Sequence, residues 1–122
     1  MSGPYEIHYD ALFGPLETID VQALIDAVDV PWYNQTLIEV GGVLVRLGVM
    51  QGEYHWHRHE HEDEFFFVLD GRFDIELDAH DTVSLGPLEG FCVPAGRLHR
   101  PVVPVRAAVL MLERAGVVAT GD

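Results

Sequence analysis

The stretch His55-Trp56-His57-Arg58-His59-Glu60-His61, followed at short range by Glu64, decides how this chain is read. Taken as an extended strand, it sends His57 and His59 to one face, about 7 Å apart at Cα, because side chains alternate across a sheet. Two imidazoles so placed can converge on a single ion. The polar and acidic residues Glu60 to Asp63 predict a turn, after which Glu64 opens the returning strand and brings its carboxylate beside the imidazoles. A fourth donor has to arrive from elsewhere. His99 is the candidate, since Pro94-Ala95-Gly96 predicts a tight turn that returns the chain to the same face. His55 and His61 share the parity of His57, but the turn takes His61 off the strand, and both read as structural or exposed. His8 and His80 carry no partner signature.

Working outward, short β-rich runs separated by Gly, Pro or Asp occupy everything after Pro31. Gln35 to Val40 and Val43 to Met50 flank Gly41-Gly42, a pair that tolerates the positive φ angles of a two-residue hairpin. Further strands are expected at Tyr54 to His59, Glu64 to Asp70, Arg72 to Asp78, Thr82 to Leu85, Gly90 to Val93, His99 to Val103 and Val105 to Glu113. Phe73, Ile75 and Leu77 share one face of their strand, with Asp74, Glu76 and Asp78 on the other. The strand from Glu64 is apolar on both faces, so Phe65, Phe67 and Leu69 need cover from the helix or from a second subunit. Before Pro31, Val21, Leu24, Ile25 and Val28 recur at helical spacing within Thr18 to Asp29, with Asp20 placed as the N-cap. Many short strands with one short helix predict an all-β sandwich or barrel. The expected division is an N-terminal segment at 1–33, a β-barrel at 34–114 and a C-terminal tail at 115–122.

With 122 residues, the chain has the size of one domain. Its apolar runs are far shorter than the roughly 20 residues that span a bilayer. Met1 to Asp10 lacks the cationic start and apolar stretch of a secretory signal, so a cytoplasmic location is expected. The formal net charge of −13 repels phosphate backbones and anionic surfaces, which argues against nucleic acid and membrane partners. Cys92, the single cysteine, cannot form an internal disulfide and reads as a small buried hydrophobe. Tyr54 and Trp56 suit either a substrate mouth or packing.

The order Gly52, His57-x-His59, Glu64, Gly71, then Pro94-x-Gly96-x-x-His99 resembles the two motifs of the cupin superfamily. The resemblance implies a jelly-roll barrel (a double-stranded β-helix) in which His57, His59, Glu64 and His99 bind a metal ion. Residues 114–122 look like those of small bacterial cupins described as mannose-6-phosphate isomerase-like. Gly52 lies one residue closer to His57 than the family pattern, Leu88 stands at a glycine position, and Val103 replaces a common asparagine. Three imidazoles and a carboxylate suit one divalent transition ion, whether iron, manganese, zinc, nickel or copper, rather than calcium. The expected function is a metal-dependent enzyme on a small polar organic molecule, of oxygenase or isomerase/lyase type. The alternative is a non-catalytic module that binds or senses a small ligand or metal. No Lys, Tyr or second carboxylate is placed in the pocket by the sequence as an acid or base. The two apolar strands Glu64 to Asp70 and Val105 to Leu112 lead us to expect a homodimer.

Overall fold

The computed structural model describes residues 5–122; Met1 to Pro4, part of the segment read for a leader, lie outside the described residues. The elements are β1 (Glu6–His8), α1 (Val21–Asp26), β2 (Trp32–Val40), β3 (Val43–Glu53), β4 (Glu64–Leu77), β5 (Val83–Leu85), β6 (Gly90–Val93) and β7 (His99–Arg114). The strands run in the order β1-β2-β3-β7-β4-β5, with β6 also on β4. All pairings are antiparallel except the parallel β1–β2 edge.

Local chemistry explains the boundaries. Gly41 and Gly42, at φ 55° and 82°, make the β2–β3 hairpin turn, as expected for a Gly-Gly pair. Asp20 caps α1 by accepting from the Ala23 amide. The helix is shorter than the apolar periodicity suggests, because Val28 and the residues before Pro31 leave the helical path.

Three sequence expectations are corrected. The runs 64–70 and 72–78 are one strand, β4, and the runs 99–103 and 105–113 are one strand, β7. Gly71 takes φ 82° and yields a bulge rather than a reversal, with register shifts on β4 between Val68 and Asp74. β3, on the other side of β7, shifts register at the same level, between Met50 and Gly52, and Pro104 drops out of both ladders. Three neighbouring strands therefore bend together and form a corner of the barrel. Tyr54 to His59 is not a strand; a single bridge, His57 to His99, ties it to β7. Finally, the short strand β1 was not foreseen, since three residues carry too little pattern to read.

Two apolar layers result. The barrel interior packs Phe66, Val68, Phe73, Ile75, Val103 and Val109 among others. Outside it, α1 and the segment before it cover Leu37, Leu47, Val49 and Ala108, with Leu69 and Leu110 at the margin. Half of the question about the doubly apolar strand is thus answered by the helix. Phe65 stays exposed, and so does Cys92, its cross-strand partner. The cysteine is an outward residue of a short edge strand, not the buried hydrophobe expected from its neighbours Phe91 and Val93.

Candidate metal centre

His57, His59, Glu64 and His99 come together although they are spread over more than forty positions. One nitrogen or carboxylate oxygen from each lies within 4.8 Å of all the others, and all four residues are buried. The backbone dictates the convergence. His57 and His99 exchange both main-chain hydrogen bonds at 2.9 Å, which sets their side chains next to each other. The His59 carbonyl accepts from the Gly96 amide at 2.8 Å, so the turn before His99 is stitched to the loop that carries His59. Glu64 stands at the first position of β4, opposite Val93 and Glu113.

Hydrogen bonding prepares these groups as donors to a cation. His57 Nδ1 lies 3.0 Å from the His55 carbonyl and His99 Nδ1 lies 2.9 Å from the Arg97 carbonyl. A carbonyl only accepts, so each Nδ1 carries the proton and each Nε2 presents its lone pair. His59 Nε2, Glu64 Oε1 and His99 Nε2 are buried and make no well-directed hydrogen bond, although the two nitrogens stand 3.2 and 3.6 Å from the Glu64 oxygen. Orphaned polar atoms in a core are costly unless something satisfies them. Three nitrogens and one carboxylate oxygen aimed at a common point fit a divalent transition ion.

The charges around the cluster are tuned by burial. Burial and the neighbouring His99 push His57 down to about 4. Burial also opposes charge on His59, but Glu64 at 3.2 Å outweighs it and raises His59 above its usual value. For Glu64, burial favours the acid, yet His59 and His99 prevail and hold the carboxyl well below the usual range. A second carboxyl, Glu113, sits across the ladder from Glu64 and within hydrogen-bonding reach of it. Burial and Glu64 push it up to about 9 despite Arg46 Nη1 at 3.3 Å. Arg46 is itself wholly buried, reaches toward the His8 carbonyl and lies against the Tyr9 ring. Sequence reasoning missed this pair. The available signal was a charge at an inward position of each strand, Arg46 between Leu44 and Gly48 and Glu113 after Met111.

Tyr5 and residues 119–122 close the mouth of the site. Tyr5 and Ala119 line the same cavity as His57 and Glu64. The Tyr54 hydroxyl donates to the Ala119 carbonyl, and the Asp122 amide donates to the Arg58 carbonyl. His55 is not among the converging donors: its ring meets the Tyr5 hydroxyl and the Thr120 carbonyl, at 3.2 and 2.8 Å. His61 is exposed. Tyr54 lines the cavity, whereas Trp56 lies outside under Arg100.

Residues 43–113, more than half of the chain, match the Cupin_2 family, described as a cupin domain. The chain therefore belongs to the cupin superfamily. Over 80 residues it is 38% identical to the uncharacterized protein YdbB of Bacillus subtilis (strain 168), covering 66% of this chain and 71% of that one. The fold is similar to that of a cupin-2 domain containing protein from Shewanella frigidimarina, with a TM-score of 0.75 at 23% identity, over 80% of this chain and 94% of that one. It is also similar to hydroquinone 1,2-dioxygenase from Sphingomonas sp. TTNP3, with a TM-score of 0.75 at 16% identity. That likeness covers 84% of this chain but 33% of the dioxygenase. The family match concerns the cupin domain as such and does not support the narrower mannose-6-phosphate isomerase-like subtype expected from residues 114–122. Among the described residues no helix is long and apolar enough to cross a membrane.

Proposed function

We propose that this chain is a metal-dependent cupin enzyme that holds one divalent transition ion with His57, His59, Glu64 and His99 and acts on a small organic molecule. The observation that carries the reading is the set of buried, unpartnered donor atoms facing one another, with two imidazoles locked in the ligating tautomer by backbone carbonyls. A bound ion would supply Lewis-acid polarisation and a template for substrate oxygens. The chain's own part is to orient the imidazoles through the His55 and Arg97 carbonyls, to exclude water with Phe66, Trp32 and Tyr54, and to keep a protonated carboxyl, Glu113, behind Glu64. Oxygenase and isomerase/lyase chemistry both suit such a centre, and the likeness in fold to a dioxygenase indicates what the scaffold can host.

The test is elemental analysis of anaerobically purified protein beside His57→Ala. About one transition ion per chain, lost in the variant, is expected; native protein that stays empty whichever cation is offered overturns the reading.

A second reading, a non-catalytic module that binds metal or a small ligand, is favoured by the tight cavity, about 30 Å³. Failure of every metal form to turn over a broad substrate panel would move the assignment there. We further propose a homodimer through the apolar sheet face of the exposed Phe65 and the half-buried Leu112; a monomer by light scattering at micromolar concentration contradicts it.

A further inference from the structure

The cavity that reaches two of the four donors, His57 and Glu64, is about 30 Å³, too small for an organic substrate. One water needs roughly 10–15 Å³ on the same measure. What fills the remaining space is the chain's own phenol. The Tyr5 ring stacks on Tyr54 with centroids 4.2 Å apart and planes 30° apart, and meets Trp32 edge-on at 5.7 Å. Its hydroxyl lies 3.2 Å from both the backbone nitrogen and Nδ1 of His55. Trp32 and Tyr54 are buried parts of the interior, whereas Tyr5 is half-buried and precedes a three-residue edge strand paired on one side. The walls are fixed, and the occupant is the least anchored member.

We propose that Tyr5 holds the place of a ligand, so that the mouth of this pocket is a seat for a small, neutral, planar, hydroxylated ring that enters when Tyr5 leaves. The proposal deepens the reading of the pocket as the substrate site of a metal-dependent cupin, and rests on it. Each attribute has a cause on the walls. Planarity follows from Tyr54, whose face already stacks on a ring, and from Trp32, which meets that ring at a steep angle. A hydroxyl follows from Asn34, a residue of the cavity wall whose buried side-chain oxygen has no partner, and from the His55 amide that Tyr5 would release.

Neutrality follows from charge. The pocket is lined by Glu6 and Glu64, with Glu113 behind Glu64. The chain contains seven arginines and no lysine. Among the described residues the one buried arginine, Arg46, is engaged by Glu113. Arg58 and Arg72 face Glu60 and Asp74, and Arg100 faces Glu53 and Glu76. Arg97 and Arg106 reach backbone carbonyls. No arginine lines the cavity to receive a carboxylate or phosphate.

The experiment measures the binding of phenol and of benzoate, its anionic counterpart, to zinc-loaded protein by quenching of tryptophan fluorescence. It compares native protein with Tyr5→Phe and Tyr5→Ala. Tyr5→Phe keeps the ring and makes no cavity but loses the hydrogen bonds to His55, so the open state becomes more populated. Phenol should bind it at least about 2- to 10-fold more tightly than native protein, the range expected for each hydrogen bond lost. Tyr5→Ala should gain more than tenfold, and benzoate should bind every form at least tenfold more weakly than phenol. Tightening in Tyr5→Ala without any in Tyr5→Phe means only that an artificial cavity has been filled, and overturns the proposal. Equal binding of benzoate overturns it as well. Zinc content is read separately in each sample: native protein without zinc defeats the metal reading, while the same phenol comparison on metal-free protein still decides the seat.

Discussion

Metal uptake by the four donors has to be linked to protons, and the two imidazole environments set the form of that linkage. In the metal-free protein His59 is raised above 6.5 by Glu64, so it still carries a proton at pH 5 to 6. His57, pushed down to about 4 by burial, does not. An incoming ion must displace the His59 proton, so the apparent dissociation constant rises about tenfold, or about 1.4 kcal/mol, for each unit that the pH falls across this window. Nearer pH 4 His57 takes up its own proton, and the dependence steepens toward a hundredfold per unit. The same shifts act on the metal-free fold with opposite signs. His59, raised above its unfolded value, adds stability that is complete below about 6.5 and fades as the pH rises through the folded value. His57, depressed, takes stability away as the pH falls from about 6.5 toward 4. The assay is calorimetric titration with zinc at pH 5 to 6 in buffers of different ionisation enthalpy, which counts protons released. A count of at least one is expected. A count near zero would show that Glu64 does not hold a proton on His59.

Three further outcomes follow from the packing. Arg46→Met leaves the protonated Glu113 carboxyl without its buried hydrogen-bond partner and should cost about 1–3 kcal/mol in urea unfolding; a cost near zero would show that the guanidinium is not needed there. Gly71→Ala should cost more than about 2 kcal/mol by thermal melting, because Gly71 has φ 82° and an added Cβ would meet the Arg106 carbonyl and Ala107 Cα. Leu88→Gly should stabilise the protein by up to about 1 kcal/mol, since the exposed Leu88 sits at φ 68° and glycine relieves that strain; no gain would show that its side chain carries packing of its own.

The sequence alone determined the family, the hairpin at Gly41-Gly42, the helix cap at Asp20 and the inward face of Phe73, Ile75 and Leu77. It also singled out the four residues that converge. These are local or spacing signals: turn residues, alternation and donor intervals survive in one dimension. Tertiary structure decided what depends on distant strands meeting. Gly71 and Pro104, which read as breaks, bend continuous strands because neighbours on both sides bend with them. Glu113 reaches Glu64 only through the β4–β7 register, and Tyr5 reaches Tyr54 across some fifty residues. Which charges are buried together, and which side chain fills the mouth of the pocket, are properties of contacts between remote segments, and no local pattern encodes them.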